Sequence, residues 1–245
     1  MEYYSLNHSL NTKIMGSYPQ VKKVIYNCDV DNDPLFIDKF YFQEIKIKPI
    51  VANPVLYSKS KLTDLIFIQD MGFTFTKLIS GKLKSILQSQ RNNGLQFIQC
   101  SVFKDDIEYK DYWLLNMYEF NQEYIDIENS TIYYEKHTDD FYTTYKTEKI
   151  VLKLKGIEEL MSHIEFAKDK TEMIGIEKLR LVNNIKEDFF RLRYVLGGIN
   201  YIISEKLKIE IENAGCTGIE FQPTELSFNE WMAVGGEREK VYGKY

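Results

Sequence analysis

The chain has 245 residues, of which 44% are apolar, 14% aromatic and 27% charged, with only 13 Gly and 5 Pro. That composition supports a packed core and excludes a disordered, collagen-like or low-complexity chain. A net charge of −5 lacks the basic footprint that nucleic acid requires, and no apolar run approaches the ~18 residues of a membrane span, so neither nucleic acid nor membrane is an expected partner.

The start, Met1-Glu2-Tyr3-Tyr4-Ser5, lacks the basic and apolar regions of a secretory signal. Cys28, Cys100 and Cys216 are too few and too scattered for a disulfide framework. Both features place the protein in a reducing cytoplasm, with the thiols as small buried hydrophobes.

Residues 1–63 read as irregular strands and loops. Within them Tyr41 to Ile47 alternates apolar and polar and predicts a strand. Asp29-Val30-Asp31-Asn32-Asp33 opens like a calcium loop, but the glycine and late Glu are missing and Pro34 interrupts, so it reads as a turn. A β-favouring run from Phe73 to Ile79 ends at Ser80, where a helix N-cap belongs. Leu83 and Leu87 then share a helical face, Asn92-Asn93-Gly94 stops the helix, and Leu95 and Phe97 share a strand face. Asp111 to Glu119 predicts a strand, with Tyr112, Leu114, Asn116 and Tyr118 on one face and Trp113, Leu115 and Met117 on the other. Thr131 to Glu135 predicts another, and the polar stretch 136–149 is the expected connection between halves. Ile157, Leu160, Met161 and Ile164 predict a helix over about residues 156–168. Ile199 to Ile203 predicts a strand, Ser204 a cap, Leu207, Ile211 and Ala214 a helical face, Gly215 its end, and Ile219 and Phe221 a further strand. The tail, with Gly235, Gly236 and Gly243, is expected to be loosely held apart from Trp231.

The chain resembles itself at an offset of 124 residues. Ile79-Ser80-Gly81-Lys82-Leu83-Lys84 returns as Ile203-Ser204-Glu205-Lys206-Leu207-Lys208. Asp64 matches Asp188, Gly94 matches Gly218 and Phe97 matches Phe221, all without a gap. The expected fold is therefore α+β, with mixed or antiparallel sheets and a duplicated strand–helix–strand unit at residues 64–103 and 188–227. The expected halves are 1–140, holding the first unit, and 141–245, holding the second. Phe97 and Phe221 should be buried equivalents.

Catalytic signatures are missing. There is no Cys-x-x-Cys, phosphate-binding loop, Gly-x-Ser-x-Gly or dinucleotide fingerprint, and His8, His137 and His163 complete no zinc pattern. The Ser–Lys pairs read as caps followed by solvated lysines. Gly197-Gly198 reads as a turn. No cofactor, metal or catalytic residue is expected. Charge, however, is concentrated. From Lys104 to Asp140 eleven acids face three lysines, a balance of −8, while the remainder carries +3. Aromatic residues interleave with those acids. Two readings stand: an ordinary solvated face over a β-core, or a contact surface for a cationic partner, carried by Asp105, Asp106, Glu108, Tyr109, Asp111, Trp113, Glu119, Glu123, Asp126 and Glu128.

Tyr201-Ile202-Ile203-Ser204-Glu205-Lys206-Leu207, followed by Ala214-Gly215-Cys216-Thr217-Gly218-Ile219-Glu220-Phe221-Gln222-Pro223, resembles a family of immunity proteins from bacterial polymorphic toxin systems. Tyr112-Trp113-Leu114-Leu115-Asn116-Met117, with Ile125-Asp126 and Ser130, is similar to an upstream element of that family. The resemblance spans roughly residues 64–226. It implies a cytoplasmic, non-catalytic protein that binds and neutralises a cognate toxin domain. The alternative is an enzyme or small-ligand protein whose site is built from distant acidic and tyrosine residues.

Overall fold

A computed structural model describes residues 2–68, 76–137, 147–168, 170, 172–196 and 198–244. In chain order the elements are β1 (Tyr3–His8), helix α1 (Thr12–Met15), β2 (Val21–Ile25), β3 (Asn53–Leu56), β4 (Leu65–Ile66), β5 (Lys77–Ser80), α2 (Gly81–Gln90), β6 (Leu95–Gln99), β7 (Val102–Lys104), β8 (Ile107–Tyr109) and β9 (Tyr112–Met117). They continue as β10 (Thr131–His137), β11 (Thr147–Leu152), α3 (Ile157–Lys168), β12 (Met173–Lys178), β13 (Phe189–Val195), β14 (Gly198–Ser204), α4 (Glu205–Asn213), β15 (Ile219–Pro223), α5 (Phe228–Met232) and α6 (Glu237–Tyr242). The fold is α+β. Its sheets run β11-β10-β12-β13-β14-β1-β15, β2-β3-β7-β8 and β4-β5-β9-β6. The first two contain parallel as well as antiparallel pairs.

The chain forms two compact units. The first comprises Leu6–Glu119, Ser204–Phe221 and Tyr242–Tyr245; the second comprises Met1–Ser5, Phe120–Ile203 and Gln222–Val241. In the first unit, β9 lies between β5 and β6 and is antiparallel to both. The strands on either side of α2 therefore run parallel without touching, a pairing the sequence left open. β9 is buried almost throughout because both its faces are apolar; Leu114, Leu115 and Met117 are fully enclosed. Leu83 and Leu87 of α2 are likewise fully buried, each burial being worth roughly 2 kcal/mol.

Ser80 and Ser204 cap their helices as expected. Each accepts from a backbone N–H three residues on, Leu83 N and Leu207 N, both at 3.2 Å. The helix ends differ from expectation. α2 stops at Arg91, whose extended backbone breaks the ladder, and Gly94 shapes the turn into β6 instead. α4 buries Leu207 and Ile211, but Ala214 is its exposed C-cap rather than part of the buried face.

In the second unit α3 packs on β12, and Leu160 and Ala167 join a core with Ile132, Ile174, Ile176, Phe190, Leu192 and Ile202. Met161 is exposed at 44%, because the apolar stripe is wider than the buried one. β10 pairs with β11, so both ends of the polar 136–149 stretch lie in a paired hairpin, while residues 138–146 lie outside the described residues. The same holds for Phe73, at the start of the run leading to Ser80, and for Gly197.

Three further expectations are corrected. Tyr41 to Ile47 forms no strand: Phe42 adopts a left-handed φ of 57°, and the side chain of Gln96 both accepts from Ile45 N and donates to Ile45 O, doing the work a neighbouring strand would do. Phe97 is only half-buried, whereas Phe221 is 5% exposed. The tail is tied down, with Arg238 buried alongside Trp231 in the second unit. In the first unit, Tyr242 accepts from Phe221 N through its hydroxyl and from Asn11 Nδ2 through its carbonyl.

Candidate functional site

The acidic segment resolves into residues that also engage the fold and residues that only face solvent. Asp111 belongs to the first class. Its carbonyl accepts from Gly81 N at 2.9 Å, and its carboxylate lies where a Cβ on Gly81 would stand only 2.0 Å away. A carboxylate at the first turn of α2 is favoured by the free N–H groups there. Trp113 is half-buried on β9 under Lys84, whose Nζ is 3.4 Å from the ring centroid. Glu119 pairs with Arg91 Nη2 at 2.7 Å. Tyr109 packs against the first unit's core. In the second unit Asp126 accepts from Asn129 N and Asn129 Nδ2, closing a turn, and Glu123 accepts from Asn121 Nδ2.

Asp111, Glu119 and Glu123 are exposed despite these contacts; outward as well are the β7–β8 hairpin, with Asp105, Asp106, Ile107 and Glu108, and Glu128 of the second unit. The hairpin turn consists of two residues, Asp105 (φ 49°) and Asp106 (φ 62°). Successive left-handed residues give the turn type whose twist matches paired strands, and Asp is among the few residues that tolerate it. Ile107 beside them is 54% exposed. Lysines edge the hairpin: Lys104 is 3.9 Å from Asp105, and Lys110 is 3.5 Å from Glu108. Such exposed pairs are worth little and leave the tip negative.

The calcium-like stretch is a turn, with the Asp29 carboxylate occupied by Asp31 N, Asn32 N and Asn32 Nδ2. Among the described residues no group of three His, Cys, Asp or Glu could hold a metal ion. Ser80 is bound in both directions, since its Oγ also donates to Asp64 Oδ1 at 2.6 Å. Burial pushes the Cys100 thiol up to about 12, and burial with the nearby Asp64 pushes Cys216 up to about 11, so neither is a ready nucleophile. Only Cys100 is fully buried; Cys28 and Cys216 are half-buried. The lysines after Ser80 are engaged as well: Lys84 lies over Trp113, and Lys82, with 46% of its side chain exposed, reaches Asp64 at 3.2 Å.

Sequence reasoning missed the role of Asp64. This 8%-exposed carboxylate also accepts from Thr217 N at 2.8 Å, joining segments 153 residues apart. Its match to Asp188 marked it, but nothing local named Thr217. Acid–tyrosine pairs do form in the second unit, where Tyr124 donates to Glu187 and Tyr134 to Glu172. A cavity of about 770 Å³ lies in the same unit, lined by Tyr3, Tyr4, Leu181, Asn183, Asn184 and Glu225 among others.

A family model described as the immunity protein family Imm11 matches residues 31–173, which is 143 of the 245 residues. The chain belongs to the Imm11 immunity protein family. The match reaches further towards the N-terminus than the resemblance read from the sequence, and it includes the β7–β8 hairpin and β9. It ends before the Ser204 helix on which that resemblance partly rested. A comparison with curated proteins finds no match for this Imm11 member. Among its described residues, no helix is long and apolar enough to cross a membrane.

Proposed function

We propose that this Imm11 member neutralises a cognate bacterial toxin domain in the cytoplasm by binding it, with no chemistry of its own, and that the β7–β8 hairpin leads the contact. The observation that carries the placement is the Asp105-Asp106 turn, which holds two carboxylates outward beside an exposed Ile107. Charge at a hairpin tip attracts a basic surface from a distance, and an adjacent apolar side chain gives it something to bury on arrival.

The test is binding kinetics with the cognate toxin domain. The triple variant Asp105→Asn, Asp106→Asn, Glu108→Gln should lose roughly tenfold in on-rate at low salt and become less sensitive to added salt. A folded variant with unchanged kinetics would move the contact to another face. Stoichiometry separates binding from catalysis. One equivalent should be needed to silence the toxin, whereas full silencing by a small fraction of an equivalent would point to an enzyme.

A further inference from the structure

The 124-residue repeat extends into the sheets. β4 pairs with β5 through Leu65↔Ile79 and Ile66↔Leu78, and β13 pairs with β14 through Phe189↔Ile203 and Phe190↔Ile202, the same register shifted by 124 in every member. The caps that follow are superimposable in backbone: Ser80 has φ −71° and ψ 161°, Ser204 φ −72° and ψ 160°. Gly94 and Gly218, at φ 75° and 82°, open the strands after each helix. In one sheet the order is β4-β5-β9-β6; in the other, the corresponding strands read β13-β14-β1-β15. The slot taken by β9 in the first is thus taken by β1 in the second.

The two occupants are alike. β9 reads Tyr112-Trp113-Leu114-Leu115-Asn116-Met117, and β1 reads Tyr3-Tyr4-Ser5-Leu6-Asn7-His8, sharing Tyr, Leu and Asn in register at an offset of 109. Their pairing is alike as well. Cys100 N donates to Tyr112 O at 3.0 Å, as Thr224 N donates to Tyr3 O at 3.2 Å. Tyr118 N donates to Gly94 O at 2.9 Å, as Ser9 N donates to Gly218 O at 2.8 Å. Both correspondences keep the 124 and 109 offsets. The surroundings match too: besides burial, Asp64 raises the pKa of the Tyr112 phenol, and Asp188 does so for Tyr3.

We propose that the chain is a tandem duplication whose copies have exchanged their aromatic strand. In sequence, β1 precedes β4-β5-α2-β6 and β9 precedes β13-β14-α4-β15, yet each aromatic strand completes the sheet of the other copy. The consequence is mutual dependence: neither copy closes its sheet with its own strand, so the start of the chain waits for β15 before it can be buried. This inference is independent of what the protein binds.

If the slots are equivalent, the two strands can trade sequences. The differing positions are three in each, so the test chain carries Tyr4→Trp, Ser5→Leu, His8→Met, Trp113→Tyr, Leu114→Ser and Met117→His. It should keep the parent near-ultraviolet circular dichroism and a single unfolding transition, with a melting temperature lowered by less than ~10 °C. Two control chains transpose the shared register, Leu6→Asn with Asn7→Leu, and Leu115→Asn with Asn116→Leu. Both should lose more than the traded chain and by similar amounts. A traded chain as disrupted as these controls, or controls of very unequal effect, would overturn the proposal. Because Ser5→Leu adds volume in a filled site, the smaller trade Tyr4→Trp with Trp113→Tyr supplies a second measure. It should fold with a tryptophan emission no redder than the parent's, since position 4 is more buried than position 113, and an unfolded, red-shifted emission would count against equivalence.

Discussion

Asp64 joins three partners with one carboxylate: the Ser80 hydroxyl, the Thr217 amide and Lys82. Asp64→Ala removes a buried acceptor and with it the bonds from the Ser80 hydroxyl and from the N–H of Thr217, an exposed residue that water can partly satisfy. A loss of about 1–3 kcal/mol is expected in urea unfolding, with little change from Asp106→Asn on the exposed hairpin turn. His8 makes a second residue-scale case. Its ring stacks on Phe67 at 4.1 Å, and Phe67 on Tyr18 at 5.1 Å. Burial, then Lys77, lowers its pKa to about 4. Between about pH 4 and the ordinary value near 6.5, the folded protein therefore binds fewer protons than the unfolded chain. The contribution is fully present above about pH 6.5 and is lost as pH falls towards 4, to a total of about 3 kcal/mol. His8→Phe keeps a ring against Phe67 and removes the titration. The variant should lose less stability than the parent between pH 7 and pH 4.5, and equal losses would place the acid sensitivity in other groups.

At the scale of elements, the repeat predicts that Phe97 and Phe221 are interchangeable, and the structure separates them. Phe221 is buried on β15, while Phe97 on β6 is half-buried with Lys84 Nζ 5.6 Å from its ring centroid. Phe221→Ala should cost about 3–5 kcal/mol and Phe97→Ala clearly less, measured by the same urea titration. The capped helices were legible because Ser80 and Ser204 precede apolar residues at helical spacing, a signal carried within one turn. α3 was legible for the same reason. Tyr41 to Ile47 misled because alternation describes a face, whereas a strand also needs a neighbour; here Gln96 supplies the hydrogen bonds from its side chain. The likeness of β1 to β9 was in the sequence too. It stayed hidden because only three of six residues match and the offset, 109, differs from the 124 of the other elements.

For the whole molecule, net charge located the acidic segment but could not assign its members. Counting gives Asp111 and Asp106 the same weight; both are exposed, yet one lies against the start of α2 and the other stands in a hairpin turn. That distinction depends on Gly81, thirty residues away, and no local pattern encodes it. The family membership bears on the whole chain in the same way: it names a class of protein, while the placement of each carboxylate decides what can touch a partner.

β11 forms one edge of the seven-stranded sheet, and Thr147 to Val151 are exposed along it, with Val151 at 56% and Ile150 at 38%. An open row of backbone donors and acceptors flanked by β-branched side chains is a template for uncontrolled association. Lys149 interrupts it, held over the Tyr133 ring and 2.6 Å from Glu177. A charge in that position acts as a gatekeeper, making a second strand desolvate an ammonium group before it can add. Lys149→Val should leave the far-ultraviolet spectrum of fresh protein unchanged and yet raise turbidity and thioflavin fluorescence on prolonged incubation. Storage life at high concentration would then be set by one lysine on a sheet edge, far from any question of how tightly the core is packed.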